Sequence, residues 1–284
     1  MIDSKILLLT GIPRSGTTLC CKLLNQASLT IALHEPIDPR KLKQSSPSLA
    51  MAEIQQQISV IRLALMNGDE FEHGDRSGIQ LDNPVSTQHE PQSVRQVKAQ
   101  RGLLSLPKQP NNFKLVIKQN ALFAALANDL SAIYPMVAMV RNPVKVLLSW
   151  MTVDLPVNKG RLPAGEKYSK QLRQQLAEEI AQQNNVLHRQ IMIYKWFIAQ
   201  YQRAGLHILK YEDIVSSNGI RLYEAFGIKH TPSAQLSEPA RQFPADVINV
   251  LGSQLDNLAP QLSSPFYSVK DIRTAFVEVA NAAH

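Results

Sequence analysis

The sequence predicts an α/β domain, a central parallel sheet flanked by helices, and three observations predict it. Short apolar runs of strand length recur at Lys5 to Leu9, Phe113 to Ile117, Met136 to Val140 and Leu206 to Leu209. The stretches after them carry apolar residues at helical spacing, and strands alternating with helices build parallel sheets. The runs are apolar throughout rather than alternating, as strands covered on both faces are. Hydrophobic residues make up 44% of the 284, enough for a sizeable core, and charged residues only 19%, too few for a disordered chain.

The elements follow in order. Lys5 to Leu9 is a buried strand running into a Gly/Pro/Ser-rich turn, and Thr17 to Gln26, with Leu19, Leu23 and Leu24, is the first helix. Residues 48–67 form an amphipathic helix with Ile54, Ile58, Ile61 and Leu65 along one stripe. From Gly68 to Asn112 the chain is polar and aperiodic, too long for an ordinary connection, and reads as a functional cap or a mobile loop. Phe113 to Ile117 is then a strand, 121–132 a helix, Met136 to Val140 a strand and 144–151 a helix. Residues 166–203 read as one long helical stretch with Leu176, Ile180, Leu187, Ile191 and Trp196 inward, ended by Gly205, before the last strand at Leu206 to Leu209. The whole of 1–284 is expected to be one domain, with 37–112 a helical and loop insertion.

Charge and cysteine content narrow the function. Thirty Lys and Arg against 23 Asp and Glu give +7, which points to anionic partners without choosing among them. The two cysteines, Cys20 and Cys21, are adjacent and point different ways from the first helix, so a disulfide framework and a zinc cluster are excluded and a redox pair is not expected. The seven histidines show no metal-ligand spacing, and no metal is expected. Basic residues are dispersed rather than clustered with exposed aromatics, against nucleic-acid binding. Ile6 to Leu9 is too short for a secretory signal, and no run reaches the roughly 20 residues of a membrane span, so the chain reads as cytoplasmic.

Gly11-Ile12-Pro13-Arg14-Ser15-Gly16-Thr17-Thr18 links the first strand to the first helix. Backbone N–H groups in such a loop cradle an anion, helped by the positive end of the helix dipole. The spacing fits the nucleotide-binding loop GxxxxGK[ST] except that Thr17 stands where the lysine belongs. A nucleoside triphosphatase needs that lysine on its phosphates; here the nearby cation is Arg14. Arg141-Asn142-Pro143 closes the third apolar strand, and Ser149 lies eight residues on, so a planar fork and a hydroxyl could hold one phosphate between them.

With these residues the sequence resembles the sulfotransferases that use 3′-phosphoadenosine 5′-phosphosulfate, in the sulfotransferase version of the P-loop fold. The resemblance covers about 1–36 and 113–227. It implies that Pro13, Arg14, Ser15, Gly16, Thr17 and Thr18 grip the 5′-phosphosulfate, with Arg14 on the phosphosulfate bridge, and that Arg141 and Ser149 bind the 3′-phosphate. Glu35, in Leu33-His34-Glu35-Pro36 and 21 residues after Arg14, stands where tyrosylprotein sulfotransferases carry a glutamate base, and bacterial members show a similar Glu-Pro. His34 is the competing base. Burial beside the donor would raise the Glu35 pKa and Arg14 would lower it. Lys118, in Val116-Ile117-Lys118-Gln119-Asn120, matches the family lysine that donates to the bridging oxygen or the sulfuryl group. The steroid- and phenol-type enzymes place a catalytic histidine two residues later; Asn120 is here instead, which leaves the base role to Glu35. Tyr211, in Tyr211-Glu212-Asp213-Ile214, resembles a family tyrosine near the nucleotide.

The function expected is therefore sulfuryl transfer, without a metal, from 3′-phosphoadenosine 5′-phosphosulfate to an acceptor hydroxyl, releasing 3′,5′-adenosine bisphosphate. An acidic carbohydrate is the favoured acceptor, given Arg40, Lys41, Lys43, Arg95, Lys98 and Arg101, with a peptide tyrosine or a small metabolite behind it. Two alternatives stay open: a catalytically silent protein that binds the nucleotide or a sulfated glycan, and an atypical P-loop kinase.

Overall fold

The computed structural model describes residues 5–43, 46–73, 102–232, 235–238 and 242–282. Five parallel strands form the central sheet: β1 (Ile6–Gly11), β2 (Thr30–His34), β5 (Lys114–Lys118), β6 (Met136–Val140) and β7 (His207–Lys210), in the order β2-β5-β1-β6-β7. A small antiparallel pair, β3 (Phe71–His73) and β4 (Gly102–Leu104), lies apart from it. Strands β1, β5, β6 and β7 are the four runs legible in the sequence. The β2 strand is an addition: the sequence pattern predicts no element between Gln26 and Glu35, and the five residues of β2 pair with Lys114 to Lys118 in parallel.

Side chains along the strands divide strictly between two faces. On β1, Leu7 and Leu9 pack with Cys20, Leu23 and Leu24 of α1 (Thr17–Leu24), whereas Ile6 and Leu8 face Ile54, Ile58 and Ile61 of α2 (Pro47–Asn67). On β6, Val137 and Met139 join the first face, and Ala138 and Val140 pack against α5 (Pro143–Met151) and α8 (Val186–Arg203) on the other. Apolar runs on a sheet covered from both sides need this period-2 division, and it explains why the runs carry no polar alternation.

Helix boundaries depart from expectation in two stretches. The stretch 121–132 is two short helices, α3 (Ala121–Ala125) and α4 (Ala127–Ser131), interrupted at Leu126. The single helix expected over 166–203 is three: α6 (Pro163–Tyr168), α7 (Lys170–Gln182) and α8. Ser169 caps α7 by accepting from Leu172 N, and Asn185 caps α8 by accepting from His188 N after Asn184 turns the chain at φ 51°. With that break Ile180 faces solvent instead of the core, while Leu176, Leu187, Ile191 and Trp196 are buried as expected. The remaining helices are α9 (Tyr211–Ser216), α10 (Ile220–Ala225), α11 (Ala245–Gly252), α12 (Leu255–Leu262) and α13 (Val269–Asn281). The last three pack through Ile248, Leu251, Leu258, Leu262 and Ile272 onto the core beside α5 and α8.

Of the 37–112 insertion, α2 and the β3–β4 pair are described; 74–101, with Arg95, Lys98 and Arg101, lie outside the described residues. The loop entering the insertion is tied to α6, because Lys167 Nζ donates to the carbonyls of Pro39 and Leu42 at 3.1 and 2.6 Å. Among the described residues no helix is long and apolar enough to cross a membrane.

Candidate functional site

Apart from Ser149, which lies on α5, every singled-out group falls at the carboxyl end of a parallel strand. In sheet order these ends carry Glu35 after β2, Lys118 at the end of β5, the 11–16 loop after β1, Arg141 after β6 and Tyr211 after β7. Ligands of open parallel sheets sit along this edge. Neighbouring strands lie about 4.8 Å apart, so the row from Glu35 to Arg141 crosses three gaps, roughly 14 Å.

The loop at the centre of the row depends on backbone that few residues adopt. Arg14 has φ 71° and Gly16 φ 94°, both left-handed. Gly16 is the N-cap of α1 and has no side chain to cap it, so the first N–H groups of that helix are left for a ligand. A Cβ on Gly16 would overlap Tyr211 Cδ2 and lie 2.8 Å from Cε2, so the ring closes directly over the loop. Trp150 Nε1 donates to Pro13 O at 2.8 Å and anchors the loop to α5. Ser15 is fully buried, its N–H bonded to Ile12 O and its hydroxyl donating to Met139 O, so it braces the loop from beneath. Thr17 is also buried, and Thr18 is partly covered at the start of α1.

Arg14 Nε donates to Ser149 Oγ at 3.2 Å, joining the loop to α5 across the sheet edge. Arg141 does not meet Ser149 directly. Its Nη1 lies 3.5 Å from Arg14 O, its guanidinium stacks 4.1 Å over the Tyr211 ring, and its Nη2 donates to Glu238 Oε1. Lys145 Nζ donates to the other oxygen of Glu238 at 2.8 Å. Burial pushes the Glu238 carboxyl up, but the hydrogen bonds from Lys145 and Arg141 outweigh it and leave it below the ordinary carboxylate range. Burial also raises the Tyr211 hydroxyl, against the pull of Arg141. The turn carrying Arg141 is fixed from behind: Asn142 N donates to Glu212 Oε1, Tyr267 donates to Glu212 Oε2 at 2.6 Å, and the Tyr194 hydroxyl donates to Arg141 O.

At the other end, Lys118 Nζ donates to Glu35 Oε1 at 2.7 Å. Lys118 is buried, 5% exposed, whereas the Glu35 side chain is 48% exposed. Glu35 is held at φ 52°, a conformation rare for a non-glycine residue, and its N–H donates to Lys118 O at 2.7 Å. Strained backbone at such a place accompanies ligand and catalytic sites more often than ordinary turns. Asn120, with its amide oriented to satisfy both neighbours, accepts from Lys118 Nζ and donates to Gly11 O, both at 3.2 Å. It therefore orients the lysine rather than serving as a base. His34 is buried, edge-on to His73 with ring centroids 5.4 Å apart, whereas the Glu35 side chain is half exposed.

Sequence reasoning missed Lys145 and Glu238. Lys145 had a signal, since it sits four residues from Ser149, on the same face of α5, and close after Arg141 in sequence. Glu238 lies 97 residues from Arg141 in irregular chain and had none. Two basic residues proposed for the acceptor side already have acidic partners: Arg40 pairs with Asp38 and Lys41 with Glu72. Cys20 and Cys21 are both buried in the core, where burial pushes the Cys21 thiol up to about 12, so neither takes part in thiolate chemistry. Among the described residues no group of side chains could hold a metal ion.

The family model described as "Sulfotransferase family" matches residues 7–232, which span every group named above except Glu238 and Tyr267. No curated protein matches the chain significantly. Among solved structures, a sulfotransferase from Alicyclobacillus acidocaldarius aligns over 90% of this chain and 93% of its own at 10% identity and a TM-score of 0.41. A second, the sulfotransferase STF1 of Mycobacterium tuberculosis H37Rv, aligns over all of this chain and 77% of its own at 16% identity and a TM-score of 0.32.

Proposed function

The chain belongs to the sulfotransferase family, and on that premise we propose that it moves the sulfuryl group of 3′-phosphoadenosine 5′-phosphosulfate to a hydroxyl of an acidic carbohydrate, with Glu35 as the base. The donor follows from the family. What carries it is the 2.7 Å pair of Lys118 and Glu35 beside the anion loop, a buried cation and an accessible carboxylate on adjacent strands.

The reaction forms a bond between the acceptor oxygen and sulfur and breaks the bond from sulfur to the bridging phosphate oxygen. The acceptor proton goes to Glu35, and the electron pair of the broken bond stays on the departing phosphate. Lys118 turns from Glu35 to a sulfuryl or bridging oxygen, which frees the carboxylate for the proton as it stabilises the developing charge. Arg14 and the N–H groups of Gly16, Thr17 and Thr18 hold the phosphosulfate at the helix N-terminus. Pro13 shapes the turn and Ser15 braces it. Arg141, backed by Tyr211, and Ser149, reached through Arg14, take the 3′-phosphate. Charge neutralisation in this reading comes from side chains and loop amides, with no metal required. The net charge of +7 supports an acidic acceptor, and the insertion over 37–112 would form its site.

The test is bisphosphate release from the labelled donor with acidic oligosaccharides, a tyrosine peptide and small alcohols as acceptors. Glu35→Gln should lower turnover by about 10²–10⁴, the size of general-base effects, while nucleotide affinity is kept. Wild-type turnover in that variant would remove Glu35 from the mechanism.

A further inference from the structure

Arg141 and Lys145 share one anion, and the chain supplies it. Glu238 spans the two cations, one carboxylate oxygen on each, with Lys145 Nζ at 2.8 Å. Both cationic side chains are 15% exposed and the carboxylate 34%. The other acids nearby do not take its place. Glu212 is engaged by Asn142 N and the Tyr267 hydroxyl, and Glu278 approaches only Lys145, at 3.6 Å. Arg141 Nε is buried with no hydrogen-bond partner among the described residues, so the fork has a donor that Glu238 leaves unused. Lys145 and Ser149, four residues apart, share one face of α5, and Arg141 lies immediately before its N-cap, Asn142.

A carboxylate bridging two covered cations neutralises one of their two charges. A phosphate ester carries about −1.5 to −2 at neutral pH and three acceptor oxygens, so it matches the pair more fully and can also reach Nε. We infer that Lys145 is a second cationic ligand of the donor's 3′-phosphate and that Glu238 occupies this place in the free protein, yielding it when the phosphate binds. The inference rests on the reading of Arg141 as the 3′-phosphate ligand and extends it to selectivity. A nucleotide without a 3′-phosphate gains nothing by displacing Glu238, whereas the correct donor replaces one anion with a stronger one.

Isothermal titration of the wild type, Glu238→Gln and Lys145→Gln with 3′,5′-adenosine bisphosphate and with adenosine 5′-monophosphate tests this. Glu238→Gln should tighten the bisphosphate about tenfold, equivalent to about 1.4 kcal/mol, and leave the monophosphate unchanged. Lys145→Gln should weaken the bisphosphate about tenfold, again without effect on the monophosphate. Unchanged or weaker bisphosphate binding in Glu238→Gln overturns the displacement, and unchanged binding in Lys145→Gln overturns the added ligand. If the wild type itself fails to prefer the bisphosphate, Arg141 is not a 3′-phosphate ligand, and the reading beneath the inference falls with it. Each variant is first confirmed folded by its thermal melt, and Lys145→Met provides a second neutral replacement.

Discussion

Gly16 is where loop conformation and packing meet, and Gly16→Ala probes both. The φ of 94° is one that an L-residue adopts at a cost of about 1–2 kcal/mol. The new methyl would also overlap the Tyr211 ring, which is 5% exposed and stacked under Arg141, so it has little room to retreat. Overpacking of this kind costs about 1–3 kcal/mol, giving a total of about 2–5 kcal/mol. For a chain of this length each kcal/mol lowers Tm by roughly 2 °C, so the melt should fall by about 4–10 °C. A double-mutant cycle separates the two contributions. In a Tyr211→Ala background the same glycine change should cost only the backbone strain, leaving a coupling of about 1–3 kcal/mol. Measurement by denaturant titration of the four proteins decides it. A Gly16→Ala protein as stable as the wild type, or a cycle with no coupling, would refute the packing of Tyr211 over the loop.

Two other substitutions test the ends of the site and the body of the fold. Asn120→Ala removes the acceptor that orients Lys118. A hydrogen bond to a charged group is worth about 1.5–3 kcal/mol, so turnover should drop by roughly 10–100-fold at unchanged bisphosphate affinity, and an unaltered turnover number would contradict the positioning role. Glu166 is pushed up by burial, but the hydrogen bonds from Arg161 and Leu162 N outweigh this and hold it below the ordinary carboxylate range. Because its folded-state pKa is lowered, its stabilisation is present above the unfolded value of about 4.3 and is lost as pH falls through the folded value. Glu166→Gln should therefore be less stable than the wild type at pH 7, with the two melting curves converging below about pH 4; a gap that persists in acid would contradict this.

The sheet was readable because a strand covered on both faces leaves an unmistakable apolar run, as Met136 to Val140 shows with every residue buried. The β2 strand escaped because Thr30 and His34 dilute a five-residue segment that owes its structure to pairing with β5 rather than to its own pattern. Helix periodicity survived the breaks at Ser169 and Asn184, so composition alone could not reveal them; the capping side chains did. In the candidate site, Arg14, Lys118, Arg141 and Tyr211 stand out in the sequence because each lies in a short motif at or just after the end of a strand. The partners that set their geometry were not. Ser149 meets Arg14 rather than Arg141, and Glu238 reaches Arg141 from a distant coil. Such contacts are tertiary, with no local pattern to announce them.

The central claim, a donor site for a 3′-phosphorylated nucleotide along the sheet edge, is tested most directly by a thermal shift with 3′,5′-adenosine bisphosphate against ADP and against ATP with Mg²⁺. At 100 times its Kd a ligand adds about 2.7 kcal/mol, which for this chain corresponds to a rise of roughly 5 °C. The account predicts that rise with the bisphosphate, without added metal, and little with either of the others. A rise with ATP and Mg²⁺ and none with the bisphosphate would contradict it.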